Sequence, residues 1–161
     1  MAGAAIFLAT CWYLKRIFTR FFFSPKRNAI DLSANKQLTK IKAYAADRVE
    51  IGGFLIHPSD RAKTSERVIV YMHGVTFPPE EKIPSLCKQA NDLNCQIVIF
   101  NYRGYAYSAN TQPTNAGIKL DVQAMLNWVI ENDMVLGADK FLWGRSFGVA
   151  TALHMMSLSS E

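Results

Sequence analysis

Gly144-Arg145-Ser146-Phe147-Gly148 decides the reading of this chain. The five residues spell G-x-S-x-G, set between the apolar run Phe141-Leu142-Trp143 and the helix-forming Val149-Ala150-Thr151-Ala152-Leu153. Strand, sharp turn and helix in that order make a nucleophile elbow, which lifts a serine hydroxyl clear of the turn. Gly144 and Gly148, two residues to either side, let the backbone crowd past itself. The Phe147 amide then faces a developing oxyanion, and the helix N-terminus adds partial positive charge.

Working outward, Lys140–Trp143 reads as the strand entering the elbow and Ser146–Leu158 as the helix leaving it. Val68–Met72 and Ile97–Phe100 are continuous apolar, β-branched runs, the pattern of strands covered on both faces. Between them, Ile83, Leu86, Cys87, Ala90 and Leu93 recur at helical spacing over 80–94, and Ile118, Val122, Met125, Leu126, Val129 and Ile130 do so further on. Leu38–Ala45 and Val49–His57 form two earlier strands turning at Asp47-Arg48, with Gly52-Gly53 marking a bulge or a close backbone approach. Alternating strands and helices predict an α/β domain, a mostly parallel sheet flanked by helices.

Candidate site residues gather after the strands. His73-Gly74 closes the Val68–Met72 strand, and the amide of Val75 in that loop is the candidate second oxyanion donor; an ordinary turn is the alternative. His73 itself reads as a prop for the loop, not as a general base. Tyr102, Arg103 and Gly104 leave the next strand at its C-terminal end, where α/β sheets gather their sites; substrate contact and structural bracing are both open. Asp121 reads as solvated or bonded to a neighbouring loop. It precedes Ser146, whereas the acid of such a site follows the serine. His154 is the one histidine after Ser146, but eight helical residues put it ~12 Å away.

Charge is uneven. Residues 1–30 hold Lys15, Arg16, Arg20, Lys26 and Arg27 and no acid, while the rest of the chain holds thirteen basic and thirteen acidic side chains; the net charge of +5 belongs to the N-terminus. No basic stripe or binding motif in the body supports nucleic acid as a partner. Cys11, Cys87 and Cys95 show no C-x-x-C spacing, so neither a metal site nor a disulfide framework is expected, and Cys87 reads as a buried hydrophobe. Ala2–Leu14 is uncharged and apolar. As a helix it reaches roughly 20 Å, short of a ~30 Å hydrocarbon core, and continuing through Ile17, Phe18 and Phe21–Phe23 supplies the length. A membrane anchor or interfacial helix is the leading reading, with the domain on the cytoplasmic side. A cleaved signal peptide and mitochondrial targeting are its rivals. The organisation expected is an anchor over 1–23, a linker over 24–36 and a domain over 37–161.

With a strand, His73-Gly74, Asn101-Tyr102-Arg103-Gly104-Tyr105, a long helix and Gly144–Gly148 in order, the chain resembles the α/β-hydrolase superfamily. More narrowly it resembles membrane-anchored α/β-hydrolase domain-containing serine hydrolases of the bud-emergence type, over roughly residues 38–158. The resemblance implies Ser146 as nucleophile and the amides of Phe147 and Val75 as oxyanion donors. It further implies that His73, Gly74, Tyr102, Arg103, Gly104, Gly144 and Gly148 support the site loops. Ester, thioester or amide substrates are implied, lipid-linked molecules and acylated proteins among them, with no metal or organic cofactor. The loop Val75-Thr76-Phe77-Pro78-Pro79 departs from the small, polar, Gly-containing loop usual after His-Gly. The triad acid and histidine are expected after the elbow helix, where this sequence stops. The expectation is therefore a hydrolase fold truncated after the nucleophile helix and inactive alone, with a catalytically inactive interaction or regulatory fragment as the alternative.

Overall fold

A computed structural model describes residues 34–160 apart from 64–65, 77–78 and 136–137, together with residues 9–14, 17, 23, 25 and 32. Five strands form one sheet in the order β1-β2-β4-β3-β5: β1 Leu38–Tyr44, β2 Glu50–Ile56, β3 Arg67–Met72, β4 Gln96–Phe100 and β5 Asp139–Gly144. Three helices flank it: α1 Ile83–Leu93, α2 Asn115–Glu131 and α3 Phe147–Leu158. The sheet is mixed. β3 pairs parallel with β4 and β5, whereas β2 runs antiparallel to both β1 and β4. The short turn after β1, with Arg48 at φ 65°, folds the chain straight back as a hairpin and so forces antiparallel pairing there. The parallel expectation therefore holds for the β4-β3-β5 half that carries the elbow.

Each strand serves two cores because successive side chains alternate between faces. Ile51, Leu55, Val68, Val70, Met72, Val98 and Phe100 face the layer of α2 and α3. Phe54, Ile56, Tyr71, Ile97 and Ile99 face α1, where Leu86, Cys87 and Ala90 complete the packing. Burial on both faces is what the continuous apolar runs predict. Gly52 and Gly53 keep regular register with Lys42 and Ile41, so they make no bulge. They permit close approach instead, since a Cβ at either would overlap a carbonyl oxygen, that of Tyr107 or Ile99.

Helix ends follow local chemistry. Pro84 lies in the first turn of α1, and Asn94 closes that helix in the left-handed region at φ 47°. The Thr114 side chain caps α2 by accepting from the Gly117 amide at 3.0 Å. Leu93 and Ile130 are exposed, contrary to their place in the helical pattern. Leu93 reaches past the end of the sheet to a cavity of about 230 Å³ beside Arg67, Ile69, Cys95 and Phe141, so its face is apolar without being covered. The described residues of the N-terminal run, 9–14 and 17, are helical. Among the described residues no helix is long and apolar enough to cross a membrane; the rest of the expected anchor and most of the linker lie outside them.

Candidate active site

The parallel half of the sheet fixes the site before any side chain is considered. In register, Met72 of β3 stands beside Gly144 of β5. The loops leaving these two strands are neighbours, and the Arg145 amide donates to the Met72 carbonyl at 3.0 Å. Ser146 follows at φ 54°, ψ −123°, a conformation that L-residues rarely adopt. α3 begins at the next residue and packs directly on the end of β3: a Cβ at Gly148 would overlap the Met72 carbonyl oxygen. A Cβ at Gly144 would sit 2.6 Å from the Gly148 carbonyl oxygen. Both glycines are therefore steric requirements of the turn, and the turn is what exposes Ser146.

Gly74 faces Ser146 from the other loop, and a Cβ there would make ordinary contact with the Ser146 Cβ at 3.4 Å. The two loops enclose a pocket of about 130 Å³ lined by Tyr71, His73, Gly74, Thr76, Lys82 and Ser146, among others. Val75 is buried, and its carbonyl accepts from the Tyr105 hydroxyl at 3.1 Å, which fixes the Val75–Thr76 peptide. The Gly74–Val75 peptide, which carries the Val75 amide, is held through the Gly74 carbonyl's contact with His73 Nδ1. Phe77 and Pro78, the departures in this loop, lie outside the described residues.

His73 is wholly committed to structure. Its Nδ1 is 2.6 Å from the Gly74 carbonyl and its Nε2 accepts from the Tyr102 amide at 3.4 Å, an arrangement that calls for a neutral ring with the proton on Nδ1. The ring packs against Tyr102 and Tyr105 with centroids 4.3 and 5.5 Å away. Burial pushes its pKa down to about 4. With both nitrogens occupied and so little basicity, it is a prop and a poor base. His154 is half-buried two turns along α3, in a groove with Asn115, Lys119 and Thr151. Neither histidine is hydrogen-bonded to Ser146.

Tyr102, Arg103 and Gly104 sit one layer behind the pocket. The Tyr102 hydroxyl donates to the His73 carbonyl at 3.1 Å and shares a 2.8 Å bond with Thr151 of α3, tying the β3 loop to the elbow helix. Buried Arg103 donates through its amide and Nε to Asp121, at 2.9 and 2.8 Å, and grips Asp47 with both terminal nitrogens, at 2.6 and 3.1 Å. Burial pushes the Asp121 carboxyl up, and the bonds from Arg103 pull it back. Asp121 is thus bonded to a neighbouring loop, the second of its two sequence readings. Gly104, at φ 83°, makes the turn that lets the loop close.

Two participants have no sequence signature. Asp47 lies 56 residues from Arg103, and no local spacing links them. Glu80 opens the helical stretch expected over 80–94 and stands instead in a short 3-10 turn, Pro79–Lys82. It is buried: Oε1 accepts from Asn101 at 3.0 Å, Oε2 has no partner among the described residues, and desolvation pushes its pKa up. Among the described residues no three His, Cys, Asp or Glu side chains converge as a metal site requires.

No family model matches the chain. Several curated proteins align with it, two of which illustrate the range. Protein bem46 of Schizosaccharomyces pombe is 24% identical over 127 residues, which cover 79% of this chain and 42% of that protein. The lysophosphatidylserine lipase ABHD12 of Bos taurus is 28% identical over 101 residues, covering 60% and 24% respectively. The chain thus spans less than half the length of these relatives. Among solved structures, the Pyrococcus furiosus esterase Pf2001 superposes with a TM-score of 0.67 at 19% identity, over 85% of this chain and 54% of that one. An alpha-beta hydrolase from Vibrio vulnificus gives 0.73 at 16% identity, over 91% and 53%. The mitochondrial alternative finds no support in these names. The chain therefore has the α/β-hydrolase fold, and its sequence resembles that of bem46.

Proposed function

We propose that the protein is a serine hydrolase acting on ester, thioester or amide bonds, with Ser146 as nucleophile and the amides of Phe147 and Val75 as oxyanion donors. One observation carries the reading: Ser146 is held at φ 54° on a strand-to-helix turn whose flanking glycines admit no side chain, and it opens into a pocket. A folded chain keeps an unfavourable backbone conformation at a reactive side chain where the chemistry uses it. In the proposed step the Ser146 hydroxyl loses its proton to a base as its oxygen attacks the carbonyl carbon. The oxyanion collapses to an acyl-serine as the protonated base returns that proton to the departing alcohol, thiol or amine, and water then cleaves the acyl-serine to release the acid and the free hydroxyl. His73 does not act as that base. The described residues bring no other histidine to Ser146, so a serine without its base acts here only through residual oxyanion-hole catalysis. The acid and base belong to sequence corresponding to the part of the relatives this chain does not span. A lipid ester as substrate is in keeping with the lipase name of one relative, and the apolar N-terminal run serves as membrane anchor or interfacial helix.

The protein produced by its source, treated with a fluorophosphonate probe, is expected to carry the adduct on Ser146 and to lose it in Ser146→Ala. An adduct confined to another serine overturns the assignment. Absence of any adduct favours the second reading, a catalytically inactive interaction or regulatory protein; the lack of a histidine bonded to Ser146 is the observation on its side.

A further inference from the structure

The walls of the Ser146 pocket carry charge of one sign. Lys82 lines it from the segment that follows β3 and Arg145 lines it from the elbow, while no Asp or Glu is among its lining residues. Neither cation is spent on the fold. Among the described residues Lys42, Lys88 and Arg103 each hold a carboxylate, whereas the side chains of Lys82 and Arg145 make no ion pair and no hydrogen bond. The acids nearest Lys82 in sequence do not cancel it. Glu80 is buried, with desolvation holding its carboxyl towards the neutral form, and Glu81 is exposed outside the pocket. The other polar groups on the walls are neutral: the His73 ring, and the hydroxyls of Tyr71 and Thr76, which have no hydrogen-bond partner among the described residues. An exposed lysine or arginine is ordinarily solvated and signifies little. Two that converge from different segments on one small pocket, beside hydroxyls free to donate, make a receptor for a carboxylate or a phosphate.

We propose that the pocket selects an ester or thioester bearing a carboxylate or phosphate within a few bonds of its scissile carbonyl, and that Lys82 and Arg145 make the selection. The proposal rests on the hydrolase reading for the bond that is cleaved; the anion-binding pocket stands apart from it. Sequence and size both place the anion close to the reacting carbon. Arg145 is the residue before Ser146, so an anion held by it lies beside the carbonyl under attack. A volume of about 130 Å³ admits on the order of ten non-hydrogen atoms, so carbonyl and anion share it only when a short spacer joins them. Arg145 is exposed and Lys82 half-buried, so each contributes modestly and salt screens both.

Matched pairs of esters test the selection on the protein produced by its source. 4-Nitrophenyl adipate, with a free carboxylate on the acyl half, is compared with its neutral methyl ester. 3-(Butyryloxy)benzoate, with the carboxylate on the alcohol half, is compared with its own methyl ester, each rate being divided by the hydroxide-catalysed one. At low salt the charged member of at least one pair is expected to show kcat/KM at least about fivefold above the neutral member, chiefly through KM. Adding about 0.5 M salt is expected to remove most of that ratio. The pair that shows it assigns the anion to the acyl or the alcohol half. Lys82→Gln and Arg145→Gln are each expected to lower the ratio about two- to fivefold. Lys88→Gln, exposed on α1 with Asp92 as its partner, is expected to leave it unchanged. Equal rates within both pairs, or a preference that survives both neutralising changes, overturns the proposal. Binding of adipate and of neutral adipamide to Ser146→Ala, followed by ligand-observed NMR, requires no turnover. If no ester is cleaved but adipate binds at least about fivefold tighter and loses that margin on adding Lys82→Gln, the hydrolase reading fails and the anion pocket stands. Equal or absent binding of the two overturns the pocket as well.

Discussion

Ser146 stores backbone strain where the proposed chemistry needs an exposed hydroxyl, and the strain is measurable. A non-glycine residue at φ 54°, ψ −123° costs of the order of 1–3 kcal/mol. Ser146→Gly is expected to raise stability in urea by about 1 kcal/mol over Ser146→Ala, which keeps the Cβ and with it the strain. Equal stabilities for the two variants would show that the turn is relaxed. His73 gives a second prediction at this scale. Its pKa is depressed from 6.5 to about 4, so the unfolded chain binds a proton in this window that the folded chain refuses. Stability is complete above pH 6.5 and falls as the pH drops towards 4, by about 3 kcal/mol from this ring. Denaturant midpoints across that range should show the fall in the native chain and lose this component in His73→Phe. His73 is next to the pocket, and its sequence position beside Gly74 reads as a prop and not as a base. The structure adds the bonds that occupy both ring nitrogens, to the Gly74 carbonyl and the Tyr102 amide.

At the scale of elements, the loop after β4 acts as a clamp. Arg103 holds the β1–β2 turn through Asp47 and α2 through Asp121, while Tyr102 holds the β3 loop and α3. The two arms of Arg103 differ in cost. Asp121 is fully buried, so Arg103→Ala leaves an uncompensated carboxylate in the interior and is expected to destabilise by about 3–5 kcal/mol. Water reaches Asp47, and Asp47→Asn is expected to cost much less, since solvent screens that arm. Thermal melts of the two variants check the ranking, and equal losses would mean the arms act as one unit. The strands and helices themselves were legible in sequence because their periodicity is a local property of the chain. The clamp was not: Asp47 meets Arg103 only when the hairpin folds beside β4, and Glu80 meets Asn101 across 21 residues of chain.

Across the whole molecule, the sheet ends in the half-exposed, Lys-bearing strand β1 on one side and in β5 on the other. β5 pairs with β3 alone among the described strands, and Phe141 on it is 51% exposed. Beyond it, α3 exposes Val149, Leu153 and Met156. An unpaired strand edge beside apolar surface is a template for association. The 161-residue chain alone is expected to associate in light scattering at micromolar concentration. Phe141→Lys, which adds a charge to the edge, is expected to reduce that association with little change in the fold. Association unaffected by the lysine would move the sticky surface to the exposed face of α3.

The division between sequence and tertiary structure follows from the range of the forces involved. The continuous apolar runs of β3 and β4, the helical spacing of α1 and α2 and the glycines of the elbow are set within a few residues, because backbone sterics and side-chain direction act locally. They determined the α/β class and the position of Ser146. Pairing direction across the sheet, the commitment of His73, the burial of Glu80 and the packing of Phe23 on Phe147 depend on groups tens of residues apart. Such contacts gain free energy only when folding removes water from both partners, and for that reason only the assembled structure decides them.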